Sequence, residues 1–391
     1  MNVANYKRWA AAALAATILF GAQWAFPDPV RAETLPFEVN AKAAILMDAA
    51  SGQVIYEKNA DELYDVAGMA KLMSALLITE AIESGMLSLS DAVNVSSSAA
   101  GLGGMSAFLA AAQSYPVETL YQCMLMISAN DATVALAEKL VGSSEAFVAK
   151  MNERARAMGL SSVFVNPTGH RATGQGMSAR DAAILARELC RYPVALTYSS
   201  IYMDELVHAD GRLTELVNPN RLVRFYAGCD GLATGSNSAA GYSGTFTAER
   251  NGTRYIAVVI GCANADTRSS IAQKLLDHAF ANYESVVVIE KGKGVARDVP
   301  VEGGRKKSVH GVAGETLSLL LQKGEAAGIS KEVEVAGSLT APVEAGQQIG
   351  ELIIKRNGEE LARVPVVACE TVEKATLGSA LRLIWLSWLH L

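Results

Sequence analysis

Aromatic residues supply only 6% of the 391 residues. That scarcity, beside abundant Ala and Gly, favours closely packed helices over an aromatic binding platform. Basic charge is also in deficit: 34 Lys and Arg face 40 Asp and Glu, a net charge of -6. No bulk positive character therefore points to nucleic acid. The five cysteines, Cys123, Cys190, Cys229, Cys262 and Cys369, form no Cys-x-x-Cys pair. Neither a zinc site nor a redox dithiol is expected, and no metal or other cofactor. Long repeats and low-complexity segments are missing too.

What is present is a chain that is 50% hydrophobic. It is long enough for two or three domains of ~100–200 residues and for a large buried core. It starts with a targeting signal. Lys7 and Arg8 precede an apolar run from Trp9 to about Phe26, and Val30-Arg31-Ala32 supplies small residues where a signal peptidase reads. Residues 1–32 are read as a signal peptide cleaved after Ala32. A retained membrane anchor is the alternative, although Gly21, Gln23 and Pro27 interrupt the run. Both readings export the body of the chain. An odd number of cysteines then leaves at least one thiol free, and buried free thiols are the simplest expectation.

Ala43 to Asp48 reads as a strand, Ala49-Ala50-Ser51-Gly52 as a turn and Gln53 to Glu57 as the return strand. A helical pattern runs from about Gly68 to Glu83, with Leu72, Leu76 and Glu80 on one face. Further helices are expected at 117–126, 131–140, 144–158 and 178–190. Ser128-Ala129-Asn130 lies at the junction of the first two. The last has Ser178 as N-cap and Asp181 near a capping-box position. Tyr242 to Arg250 and Thr253 to Cys262 flank Asn251-Gly252, a strong hairpin signal, and a closing helix is expected at 269–283. Strands, then helices, then strands give an α+β fold over 33–284, with a sheet joining its two ends.

Composition changes after about Glu284. Short strands at 286–289, 309–312, 317–321, 333–335, 349–355 and 361–367, with Asn357-Gly358 as another turn, predict a separate β-rich domain over 285–370. In the tail, 371–391, Leu377, Leu381, Ile384, Trp385 and Trp388 group on a helical wheel roughly opposite Ser379, Arg382 and His390. This run falls short of the ~20 apolar residues that span a bilayer. It suits a helix lying in the membrane interface; packing on the β domain is the alternative.

Three motifs carry the chemistry. Serine acyl-transferases acting on D-amino peptides use S-x-x-K, S-x-N and K-T-G. The first sets a nucleophilic serine one helical turn from a lysine base. The second brings a hydroxyl and an amide into the cleft from a helix junction. The third lies on an edge strand and holds the substrate carboxylate. Here the three slots read Gly68-Met69-Ala70-Lys71, Ser128-Ala129-Asn130 and Ala233-Thr234-Gly235.

On these slots the chain resembles the low-molecular-mass penicillin-binding proteins that are serine D-alanyl-D-alanine carboxypeptidases. The likeness extends to Asp48-Ala-Ala-Ser-Gly52 with Tyr56-Glu-Lys58, Met151-Asn152 through Gly159, Asn166-Pro-Thr-Gly169 and Ser178-Ala-Arg-Asp181. Asn218-Pro-Asn-Arg-Leu222, Asp230-Gly-Leu232 and Gly241-Tyr242 continue it. The resemblance implies a transpeptidase-like domain of antiparallel sheet and helical cluster, then a small all-β domain and an amphipathic membrane-associating helix. It implies trimming of the terminal D-alanine from peptidoglycan stem peptides through an acyl-enzyme that penicillin traps, on the outer side of the cytoplasmic membrane. By the same resemblance, position 68 holds the nucleophile, Lys71 the general base, and Ser128 the proton relay beside Asn130. Positions 233, 234, 235 and 236 hold the substrate, and the backbone N–H groups of Gly68 and Ser236 form an oxyanion hole.

The departures fall on those slots. Gly68 has no hydroxyl to acylate, and Ala233 removes the third-motif lysine. Ala70 stands where threonine is usual, and Ala110-Ala111-Ala112 where Lys-Pro-Gly is favoured. Loss of a serine nucleophile costs about 10⁶ in turnover, with ~10³ over water remaining. The expectation is an inactive or severely impaired homologue that binds peptidoglycan peptides. The alternatives are a working carboxypeptidase with a substitute nucleophile such as Ser128, and an engineered knockout. Lys71 has a second reading, an interior lysine hydrogen-bonded to Ser128 and Asn130 for stability. Ser74, a turn beyond, is read as a surface or packing serine.

Overall fold

The structure, a computed structural model, describes residues 35–376 and Gly378. The expected signal peptide and the apolar tail residues Leu377, Leu381, Ile384, Trp385 and Trp388 lie outside them. Ala43–Asp48 (β1), apolar from Ala43 to Met47, is buried along its whole length, as a strand covered on both faces requires. Val54–Lys58 (β2) returns beside it. Ala92–Asn94 (β3) pairs with Ser114–Pro116 (β4), and Met203–Val207 (β5) with Leu213–Val217 (β6). Cys229–Asn237 (β7), Gly241–Arg250 (β8) and Thr253–Cys262 (β9) complete the main sheet, whose antiparallel order is β2-β1-β9-β8-β7. The Asn251-Gly252 turn joins β8 to β9 as expected, with both residues at positive φ, 52° and 76°.

Successive residues of a strand face opposite sides, and β1 divides accordingly. Ala43, Ile45 and Met47 join a core with a helical cluster, while Ala44 and Leu46 join a second core on the other face. The cluster contains α1 (Lys71–Glu83), α2 (Val117–Ile127), α3 (Asn130–Val141), α4 (Ser144–Ala157), α5 (Ala179–Leu189) and α6 (Pro193–Ser199). The opposite face is covered by α7 (Ala265–Asn282), through Ile271, Leu275 and Leu276.

The central helix α1 is buried on nearly all sides, from Lys71 to Thr79. The single apolar face expected from sequence understates this burial, because Ser74 and Thr79 find partners inside. Its expected start at Gly68 is corrected: Ala67–Ala70 is a 3₁₀ turn that precedes the α-helix. Asp65 accepts from the Ala67 N–H at 2.9 Å, and Ala67 adopts φ 47°, so the chain enters sharply. The Ser178 cap of α5 is as expected, its hydroxyl accepting from Asp181 N. The Asp181 carboxylate, however, accepts from Ser161 and Ser162. Helix α7 begins four residues before the expected position, where Asn264 caps it by accepting from Thr267 N.

Tyr283–Ile289 (β10), Gly294–Glu302 (β11), Ser308–Ala313 (β12), Leu317–Gln322 (β13), Ile329–Val335 (β14), Leu339–Thr340 (β15), Gln348–Arg356 (β16) and Glu359–Ala368 (β17) follow. They form a two-stranded sheet, β10-β13, and a six-stranded one, β14-β16-β17-β12-β11-β15. Val299, Val309, Leu352 and Val364 belong to the core they enclose. This portion also touches the first sheet: Ser285 donates to Asp48 at 3.2 Å, and Leu320 packs into the second core.

Candidate active site

Two close backbone approaches build the site around the 3₁₀ turn. A Cβ added at Gly235 of β7 would lie 2.3 Å from Val66 O, 2.6 Å from Met69 N and 2.7 Å from Gly68 N. Only glycine lets the strand come so near. From the other side, the loop around Gly169 (φ 74°) presses on the turn; a Cβ there would sit 2.0 Å from Ala67 O. The third wall is the α2–α3 junction. Ser128 ends α2 in the left-handed region, φ 59° and ψ 36°, Ala129 is extended, and α3 starts at Asn130. A non-glycine residue held there is uncommon, and such strain concentrates at functional sites.

The result is a cleft of about 390 Å³ lined by Gly68, Lys71, Ser128, Asn130, Thr234, Gly235 and Ser236. Seven of the eight sequence-selected positions thus meet in one place. The eighth, Ala233, borders an adjoining space of about 20 Å³ with Lys71, Ser128 and Thr234, room for about one water molecule.

Lys71 is buried, and its Nζ donates to Thr168 O at 2.8 Å. It makes no hydrogen bond to Ser128 or Asn130, which corrects the interior-network reading. Burial pulls its pKa down to about 7, while the Asp131 carboxylate opposes that fall. Ser128 Oγ is buried without a protein partner. Asn130 Nδ2 donates instead to Gly103 O at 2.7 Å. Buried Asp131 accepts from Ser106 Oγ at 2.6 Å, Ala107 N at 3.0 Å and Leu109 N at 3.1 Å, fixing the lip that carries Gly104 and Met105. Ser74 is fully buried and donates to Pro167 O at 2.6 Å. It is a packing serine that ties the 166–171 loop to α1.

A Cβ placed on Gly68 would lie 3.3 Å from Ser128 Oγ, 3.3 Å from Thr234 O and 3.4 Å from Lys71 Nζ. A lysine with a base-like pKa and a free hydroxyl therefore surround the spot where a side chain at position 68 would point. The backbone of Gly68 is outside the left-handed region, so its conformation does not itself demand glycine. The arrangement can receive a peptide and shuttle a proton. Position 68 offers nothing to form a covalent intermediate.

Arg268 was missed from sequence. It is 4% exposed, lines the cleft, and reaches Ser243 O at 3.4 Å and Pro219 O at 3.5 Å. Its Nε has no protein partner, and burial lowers its pKa. It lies in the first turn of α7, just ahead of the helix start expected at 269. A guanidinium is suited to a carboxylate, to which it can donate paired N–H bonds. Among the described residues no cluster of His, Cys, Asp or Glu could hold a metal ion.

Comparison with known proteins agrees with this geometry. A sequence profile described as D-alanyl-D-alanine carboxypeptidase matches residues 29–264, and one described as the C-terminal domain of penicillin-binding protein 5 matches 283–374. The D-alanyl-D-alanine carboxypeptidase DacF of Bacillus subtilis is 39% identical over 337 residues, covering 86% of each chain. DacC of Escherichia coli is 32% identical over 349 residues, covering 86% of this chain and 85% of its own. The crystal structure of penicillin-binding protein 5 from Haemophilus influenzae superposes with a TM-score of 0.77 at 28% identity, over 88% of this chain and all of that one. Fold, cleft and relatives agree, and the chain belongs to the D-alanyl-D-alanine carboxypeptidase family.

Proposed function

We propose that this chain binds peptidoglycan stem peptides ending in D-alanyl-D-alanine and does not cleave them at an enzymatic rate. The observation that carries this reading is position 68. Lys71 Nζ, Ser128 Oγ and Thr234 O lie 3.3–3.4 Å from where a Cβ at that position would sit, and glycine supplies no nucleophile. Ala233 withdraws a cation from the neighbouring strand, yet Arg268 still offers a buried positive charge for the peptide carboxylate. The unit over 33–284 would carry this function and the β-rich unit over 285–370 would support it. The protein would work outside the cytoplasm, held peripherally on the cytoplasmic membrane by the 371–391 tail. No helix among the described residues is long and apolar enough to cross a membrane.

The test is binding without turnover. Calorimetry with a D-alanyl-D-alanine peptide should show saturable binding, and a coupled D-alanine assay on the same sample should stay at the buffer rate. Release of D-alanine at family-like rates would sink the reading. A second reading has one observation in its favour. Ser128 Oγ is unpartnered and only 3.3 Å from the would-be Cβ of residue 68, which makes it the substitute nucleophile to examine. It predicts release of D-alanine that Ser128→Ala abolishes.

A further inference from the structure

The charge on the cleft walls exceeds what one terminal carboxylate needs. The protein carries a net charge of -6, yet no Asp or Glu lines the cleft, whereas Lys71, Arg171 and Arg268 all do. Lys71 is committed to Thr168 O and sits near neutrality. Arg268 is fixed by its backbone contacts under β8. Arg171 is different: it is exposed, and it makes no ion pair or hydrogen bond with another described residue.

Its loop is nonetheless pinned. Asn166 Oδ1 accepts from Thr168 N at 3.2 Å and His170 N at 3.0 Å, and Asn166 Nδ2 donates to His170 O at 2.7 Å. Gln175 Nε2 reaches the same carbonyl at 3.3 Å. The loop is also tied down to α1 through Thr168 O and Pro167 O. An arginine on a loop held this way is presented to the cleft rather than left on a free strand of chain, and less ordering cost remains to be met on binding.

The 3₁₀ turn with Gly68 lies between the Gly169 loop and β7. A peptide that crosses Gly68 from the Arg268 side therefore leaves toward Arg171. We infer that Arg171 is a specificity-determining residue that receives a second acid group, carried by the residue just before the D-alanyl pair. The favoured ligand class is a dianionic peptide: one carboxylate at the terminus and one on that preceding side chain. This rests on the peptide-binding reading above.

Two probes differing in one group test it, N-acetyl-Glu-D-Ala-D-Ala and N-acetyl-Gln-D-Ala-D-Ala, titrated by calorimetry into the full chain. The wild type should bind the Glu peptide about fivefold tighter, the scale of a partly solvated ion pair, and the gap should shrink in high salt. In Arg171→Gln the two peptides should bind alike, while Arg171→Lys should keep part of the gap. Arg171 is exposed, so the variants should melt with the wild type. Equal binding of both peptides by the wild type, or a gap that persists in Arg171→Gln, overturns the assignment. If neither peptide binds the wild type, the peptide-binding reading falls first, and this inference goes with it.

Discussion

Replacing Lys71 with methionine should make the protein more stable at neutral pH. Lys71 is an amine of ordinary pKa 10.5 that burial pulls to about 7. At ~1.4 kcal/mol per unit, that shift corresponds to roughly 4–5 kcal/mol. The sign follows from proton counting. Between about pH 7 and 10.5 the unfolded chain keeps the proton and the folded chain sheds it, so stability rises with pH across that window. Below the folded value the full cost is present. Methionine fills similar space without a charge. It leaves Thr168 O without its 2.8 Å donor, at about 1–3 kcal/mol, and removes the attraction to Asp131. The net gain at pH 7 should be about 1–3 kcal/mol. Denaturant titrations of wild type and Lys71→Met at pH 7 and pH 9.5 read this directly. The variant should have the higher midpoint at pH 7, and the gap should narrow at pH 9.5. A variant that loses stability equally at both pH values would refute the reasoning, because it would mean that Lys71 is folded as a paired, fully charged group.

Other positions give sharper structural tests. Gly235→Ala places a methyl 2.3–2.7 Å from three backbone atoms of the 3₁₀ turn. It should cost about 1–3 kcal/mol and weaken peptide binding; an unchanged thermal midpoint would show that β7 stands further off. Ser128→Ala removes a hydroxyl with no protein partner, so the melting temperature should hold or rise, and a clear fall would reveal an overlooked bond. All five cysteines are free, and only Cys369 is exposed. Burial pushes the Cys123 and Cys229 thiols up to about 12 and those of Cys190 and Cys262 to about 11. A thiol reagent should count one fast thiol in the folded protein and five after denaturation.

The hairpins and helices with strong local signals were readable from sequence. Asn251-Gly252 fixed β8 and β9, and Ser178 fixed the start of α5. The three catalytic slots predicted a shared cleft because each occupies a distinctive setting: a helix start, a helix junction and an edge strand. What the sequence hid depends on contacts between distant segments. Nothing local shows that Lys71 bonds to Thr168, since that carbonyl is 97 positions away. Arg268 escaped because Asp266 and Arg268 interrupt the apolar period in the first turn of α7. The β5–β6 hairpin was missed for a similar reason. Its exposed residues include Met203, Val207, Leu213 and Val217, so the usual polar-out alternation is absent. Ser74, ambiguous on a helical wheel, is assigned only once Pro167 is seen above it.

The claim that matters most is that position 68 has removed the covalent step. Incubation of the full chain with a labelled penicillin, followed by intact-mass measurement and peptide mapping, tests it. The wild type should keep its mass. Gly68→Ser with Ala233→Lys should gain one penicilloyl group on residue 68, since the backbone there tolerates a side chain and Lys71 and Ser128 already face it. A penicilloyl group on any serine of the wild type, Ser128 included, would contradict the account.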